Sequence, residues 1–218
     1  MSPDECSFRP MACELNYLSN SDGSAFLKQG ETVILAGVNG PVQVKQTKSI
    51  YNKATVQAVY ETKNEKRLAG DEGQLIRLCI TKTCESALLT SLHPSTMIQI
   101  SIEELEDNGS SLACILNSSC LALINSGLAM KYTFAAVCCM IDEESNNIIL
   151  DPNTLQLKKA KAVFTLVFDS VKKELITCQS SGSFKEEELL TSIKKCREAV
   201  HHIFEFYRDI VKQYATAI

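Results

Sequence analysis

The stretch Ser111-Leu-Ala-Cys-Ile-Leu-Asn117-Ser-Ser-Cys120-Leu-Ala-Leu-Ile-Asn125 decides how this chain folds. Its apolar residues, Leu112, Ala113, Ile115, Leu116, Cys120, Leu121, Leu123 and Ile124, fall nearly all round a helical wheel, and Gly127 stands where a left-handed residue would close the helix. Such a helix is buried on more than one side, so its neighbours must supply at least two packing surfaces. Upstream, the chain reads as sheet. Arg9 to Asn16 alternates weakly, Gly23 to Lys28 follows the turn signal Asn20-Ser-Asp22-Gly23, and Thr32 to Val38 is a short, nearly all-apolar run. Val42 to Lys45 and Ala54 to Tyr60 alternate with period two, and Gly37-Val-Asn-Gly40-Pro41 between two such runs reads as a tight hairpin. The result is a hairpin-rich sheet with one buried face.

From Glu72 the period lengthens. Leu75, Ile76, Cys79, Ile80, Thr83, Ala87 and Leu88 fall at helical spacing, and His93-Pro94 is the stop signal. Met97 to Ile102 alternates as a strand. Beyond the buried helix, strands are expected at Tyr132 to Ile141, Asn147 to Leu150, Ala162 to Phe168 and Glu174 to Gln179. A long amphipathic helix closes the chain, opened by the capping-box pattern Ser183-Phe-Lys-Glu186 and striped by Leu189, Ile193, Cys196, Val200, Ile203, Tyr207, Ile210 and Tyr214. This order predicts an α+β fold of mixed sheets packed with helices. No repeat and no Pro/Gly/Ser-rich linker divides it, so residues 1–218 read as a single domain.

Apolar residues make up 45% of the chain and charged residues 22%, which excludes a disordered or low-complexity protein. The net charge of −4 argues against nucleic-acid binding through a whole-surface field, so any such contact must be local. One tract fits: between Val42 and Arg67, Lys45, Lys48, Lys53, Lys63, Lys66 and Arg67 face only Glu61 and Glu65. The bland alternative is a solvated sheet edge guarded by lysines. No apolar run approaches the roughly 20 residues that span a bilayer, and Met1-Ser2-Pro3-Asp4-Glu5-Cys6 has no signal character, so neither secretion nor a membrane is expected. The ten cysteines then read as reduced thiols, mostly core residues.

With no Cys-x-x-Cys and histidines only at 93, 201 and 202, neither a metal site nor a cofactor is expected. Glu103-Glu104-Leu105-Glu106-Asp107 and Asp142-Glu143-Glu144 read as solvated acidic turns. Asp107-Asn-Gly109-Ser-Ser111 could present N–H groups and hydroxyls to a phosphate, but reads first as a plain N-cap. No Gly-x-Ser-x-Gly elbow occurs, and the thiols carry no local nucleophile signature.

Taken together, a set of motifs in fixed order does point to a family. Cys13-Glu-x-Asn16, Asp22-Gly-Ser24, Gly30-x-Thr-x-Ile-Leu-Ala-Gly37-Val-x-Gly-Pro41 and Asn52-Lys-Ala-Thr55 are followed by Leu92-His-Pro94, Leu112-Ala-Cys-x-Leu-Asn117-x-x-Cys120-x-Ala-Leu123 and Leu150-Asp-Pro152. Over essentially its whole length the chain resembles an RNase PH-type domain, the ribosomal protein S5 domain 2-like fold, and within that family the non-catalytic ring subunits of the eukaryotic RNA exosome. The resemblance implies a place in a six-membered ring of RNase PH-like subunits, capped by OB- and KH-type subunits and threaded by single-stranded RNA. It implies 3′-to-5′ RNA processing and decay in the nucleus and nucleolus and in the cytoplasm.

Active members of the family hold the attacking phosphate with an arginine at the start of the first long helix and with a Gly-Gly-Thr/Ser-Arg turn before the buried helix. Two aspartates six residues apart serve the acid and metal role. Carried onto this sequence, the helix arginine becomes Asp71, the turn reads Gly109-Ser110-Ser111-Leu112, and the aspartate positions become Leu157 and Val163. Thr154 to Leu166 contains no carboxylate at all. The resemblance therefore implies a subunit that is not an enzyme and whose Lys63, Lys66 and Arg67 approach the RNA path. The rival reading is a metal-dependent or hydrolytic nuclease acting alone or as a homodimer, which would need carboxylates or histidines clustered elsewhere.

Overall fold

A computed structural model describes residues 8–43, 50–63 and 70–215. Its period-two segments pair into two sheets. The first contains β1 (Met11–Leu15), β2 (Gly23–Gln29), β3 (Thr32–Gln43), β4 (Thr55–Thr62) and β5 (Thr96–Glu106) in the order β1-β2-β3-β5-β4. Only the β4–β5 pair is parallel. The second, antiparallel throughout, contains β6 (Phe134–Asp142), β7 (Ile148–Leu150), β8 (Ala160–Asp169) and β9 (Leu175–Gly182) in the order β7-β6-β8-β9. Among the described residues the α-helices are α1 (Asp71–Ala87), α2 (Ser111–Ser126), the short α3 (Thr154–Leu157) and α4 (Glu186–Ala215).

As its all-round apolar surface requires, α2 lies between layers, packed on β2 and β3 of one sheet and on β6 of the other. Every residue from Ala113 to Leu123 is buried, and Gly127 (φ +70) closes the helix. Gly23 lets β2 start directly against it, since a Cβ there would lie 2.5 Å from the Ala122 carbonyl oxygen. The polar residue that joins the layers is Asn117. Its Nδ2 donates to the Ala136 carbonyl (3.0 Å) and its Oδ1 accepts from the Ala136 amide (2.7 Å), so it occupies the edge of β6 where β7 does not reach. The Tyr207 hydroxyl of α4 donates to the same Oδ1 (2.9 Å). The predicted stripe of α4 is buried from Cys196 to Ile210 and packs on β6 and β8, which explains why β6 is an unbroken apolar run instead of an alternating one. One hydrophobic cluster runs from Leu15 to Ile210 and takes in both sheets.

The chain departs from its sequence reading at several points. Gly37–Pro41 does not turn. β3 continues through it because β5 pairs on both sides, Asn39 with Gln99 and Val42 with Met97, and the surplus residues form a bulge. There Gly40 (φ +143) passes within 2.7 Å, measured from an added Cβ, of the Met97 carbonyl oxygen. β4 pairs with β5 and not with β3, so this sheet is not a simple run of hairpins. α1 ends at Ala87, well before His93-Pro94, because Leu88 turns extended to bridge Met130 and the Leu89 amide donates to the Ala129 carbonyl (3.0 Å). Glu103 to Glu106 extends β5 where a solvated turn was expected. Glu104 is buried and accepts from the Tyr60 (2.9 Å) and Thr62 (3.0 Å) hydroxyls.

The capping box also moves. α4 begins at Glu186, and Glu188 accepts from the Lys185 amide (2.8 Å) while also pairing with Lys161 (2.6 Å). A reciprocal box is found at α3 instead, where Asn153 and Gln156 cap each other's amides at 2.9 Å.

Candidate functional site

The turn before α2 is a place where the sequence allows a phosphate, and among the described residues its bonding is to the protein itself. The Asp107 carboxylate accepts from the Gly109 amide (3.0 Å), and Gly109 (φ +90) packs against Pro152–Thr154 so closely that no Cβ fits. Ser110, in the left-handed region, does not cap the helix. Its hydroxyl donates instead to the Pro152 carbonyl (2.8 Å), which corrects the simple N-cap reading.

A guanidinium does reach this turn, from a residue the sequence did not single out. Arg9 donates through Nε and Nη2 to the two carboxylate oxygens of Asp151 (2.9 and 2.7 Å), and through Nη2 to the Gly109 carbonyl (3.1 Å). Its Nη1 donates to the Asn108 carbonyl (2.9 Å) and the Thr32 hydroxyl (3.3 Å). All five guanidinium donors are thereby engaged, and none is left for an incoming anion. Asp151 also accepts from the Arg9 amide (3.0 Å) and is buried, its side chain 1% exposed. Burial opposes the charge on Arg9, but the bond and charge of Asp151 outweigh it and raise the Arg9 pKa. Nothing in the spacing of Arg9 and Asp151, 142 residues apart, could have announced this pair.

The structure brings two of the predicted site segments together and scatters the rest. Ser111 and Leu112 open α2 beside the 151–157 segment, joined to it through Ser110 and Arg9. Leu157 ends α3, its amide bonded to the Asn153 carbonyl (2.9 Å). Val163 lies on β8, paired with Met140 and Ser181, and packs against the core like Leu112. Asp71 is the exposed first residue of α1, where a carboxylate suits the helix dipole and repels an anion. Lys63 is exposed one residue beyond β4. Because β4 and β5 are parallel, Lys63 and the 107–110 turn leave the sheet at the same end. Lys66 and Arg67 lie outside the described residues.

Nor do the neighbouring thiols offer a nucleophile. Burial pushes Cys138 up to about 12, partly offset by its bond with Ser110, and burial with the nearby Asp151 charge raises Cys114 as well. Among the described residues no group of three or more His, Cys, Asp or Glu is placed to hold a metal ion. No helix among them is long and apolar enough to cross a membrane.

Comparison with known families places this geometry. Residues 7–129 match the 3′ exoribonuclease family, domain 1 (RNase PH), and residues 131–198 match domain 2 of the same family. The chain is a member of the 3′ exoribonuclease family. Among its similar relatives is the "exosome complex exonuclease RRP46 homolog" of Arabidopsis thaliana, 32% identical over 85% of this chain and 77% of that protein. Another is the "exosome complex component rrp46" of Schizosaccharomyces pombe, 31% identical over 80% of this chain and 77% of its own length. The crystal structure of rice Rrp46 superposes with a TM-score of 0.89 at 28% identity, covering 96% of this chain and 97% of that one. The RNase PH-type fold expected from the motifs is therefore the fold of this family member.

Proposed function

We propose that this chain is a structural subunit of an RNA exosome ring, supporting 3′-to-5′ RNA processing and decay without performing phosphorolysis itself. The observation that carries the reading is the saturated Arg9. The scaffold around the phosphate turn is intact, but the guanidinium that reaches it among the described residues, that of Arg9, is turned onto Asp151 and backbone carbonyls. Leu112, Leu157 and Val163 supply hydrocarbon where the family's chemistry requires a guanidinium and two carboxylates, and Asp71 supplies the wrong charge. Losing each preorganised electrostatic partner costs on the order of 10²- to 10³-fold in rate, so the combined loss leaves no useful turnover.

What remains useful is surface. On this reading the chain packs against other RNase PH-like subunits in a six-membered ring, is covered by OB- and KH-type subunits, and contributes to the wall of a channel for single-stranded RNA. Lys63, Lys66 and Arg67 are the residues we assign to that path, supported by the shared exit of β4 and the 107–110 turn. The relatives' names support the exosome assignment, and the nucleus, nucleolus and cytoplasm are the compartments it implies. Co-expression with RNase PH-like partners followed by native mass spectrometry tests the proposal. A stoichiometric heteromeric assembly is expected, and a stable monomer indifferent to every such partner would overturn it.

A further inference from the structure

We infer that a cavity at the far end of α2 is a docking site for a protein segment that carries an aromatic or long aliphatic side chain beside a carboxylate. The cavity holds about 400 Å³. Ile124 of α2 and Phe204, Tyr207 and Val211 of α4 give it hydrocarbon walls, with Arg208 and Lys212 among them. At about 1.5 Å per residue, some 20 Å of helix separates Ile124 from Ser111, so this site is distinct from the phosphate turn. The inference does not depend on the exosome assignment.

Exposed hydrocarbon marks the rim. Val211 is 40% exposed, and Val171, next in the chain to the lining residue Ser170, is 72% exposed. Apolar side chains left open around a concave apolar wall mark a surface that something covers.

Charge then selects the occupant. The segments that build the cavity carry Lys131, Lys172, Lys173, Arg208 and Lys212 in a chain whose net charge is −4. The acids in the same stretches are largely engaged: Asp169 is buried and accepts from the Lys172 and Glu174 amides, Asp209 pairs with Lys212 (3.4 Å), Glu174 with Lys172 (3.8 Å), and Glu205 faces His201 (3.3 Å). Arg208 is exposed and has no acidic partner among the described residues. A guanidinium at the mouth of an apolar cavity fits a carboxylate attached to an apolar group.

RNA is the other anion to weigh, and the aromatic geometry disfavours it. Phe204 and Tyr207 are 7% and 4% exposed, packed edge to face at 6.1 Å, and the Tyr207 hydroxyl is held by Asn117. They form walls, whereas single-stranded RNA stacks its bases on open aromatic faces.

Calorimetric titration of the full chain with the N-acetylated tripeptide amides Asp-Phe-Asp and Lys-Phe-Lys, and with a decameric oligoadenylate, tests this. The acidic peptide is expected to saturate and to bind at least about tenfold tighter than the basic one. Arg208→Ala should weaken it about tenfold, as expected for loss of one charge-assisted contact. Val211→Trp changes an exposed position and fills the cavity, and should abolish binding while leaving the thermal midpoint unchanged. Equal binding of the two peptides, no saturation at millimolar peptide, or unchanged affinity in Val211→Trp would overturn the inference. Binding of the oligoadenylate that depends on Arg208 would overturn it in favour of RNA.

Discussion

At its N-terminal end α2 meets Arg9, Asp151 and the 107–110 turn, where a half-buried cation has every guanidinium donor bonded. At its C-terminal end it meets an open apolar cavity flanked by cations, one of which, Arg208, is exposed and has no acidic partner among the described residues. The same residue type thus serves opposite ends. A guanidinium whose donors are all satisfied by carbonyls and a carboxylate is a structural joint, and only one with unsatisfied donors can recruit an anion. Position near a helix N-terminus does not by itself make a phosphate site; what the local cation is already bonded to decides the matter.

If the closed end is a joint, breaking it should cost stability on a core-like scale. Arg9→Met leaves the Asp151 charge buried without compensation and is expected to cost about 3–5 kcal/mol in urea unfolding. A loss below about 1 kcal/mol, the range of an exposed pair, would erase the contrast between the ends. Between them, Asn117→Ala strands the Ala136 amide and carbonyl and the Tyr207 hydroxyl, and is expected to cost about 2–4 kcal/mol by the same measurement.

Surface charge should matter less to folding. Neutralising Lys63, Lys66 and Arg67 together should leave stability within about 0.5 kcal/mol. RNA retention by the assembled ring should weaken, with the salt slope falling by about one to two phosphate contacts. Unchanged affinity and slope would reduce the tract to a solvated edge.

The smallest effect is a pH dependence. Bonding to Lys161 and the Lys185 amide holds Glu188 below its ordinary value of 4.5, and the bond to Lys53 does the same for Glu85. A carboxylate with a lowered folded-state pKa stabilises above its unfolded pKa and loses that contribution as pH falls through the folded one. The thermal midpoint should therefore decline as pH drops below 4.5, and Lys161→Met should flatten that decline. A midpoint indifferent to pH in this range would show these pairs to be without consequence.

Periodicity exposed much of this structure in advance. The buried α2, its Gly127 stop, the stripe of α4 and the strands of the second sheet all follow from patterns that span a few residues. What it missed depends on partners distant in sequence: the parallel β4–β5 pairing, the bulge through Gly40 that a hairpin signal imitates, and the Leu88–Met130 bridge that stops α1 early. Glu104 read as a turn residue because its hydroxyl partners, Tyr60 and Thr62, lie on another strand. At the candidate site, the resemblance alone puts Asp71, Leu112, Leu157 and Val163 where the family carries arginines and aspartates. Arg9, which ties the turn before α2 to Asp151, was not legible, because its five acceptors come from three separated segments.

On the proposed reading the phosphate turn is a structural joint and the chain is catalytically silent. Incubating the purified chain with 5′-labelled single-stranded RNA, inorganic phosphate and Mg²⁺ tests it most directly. No nucleoside diphosphate is expected above a mock preparation, whereas phosphate-dependent release that persists through repeated purification would overturn the reading.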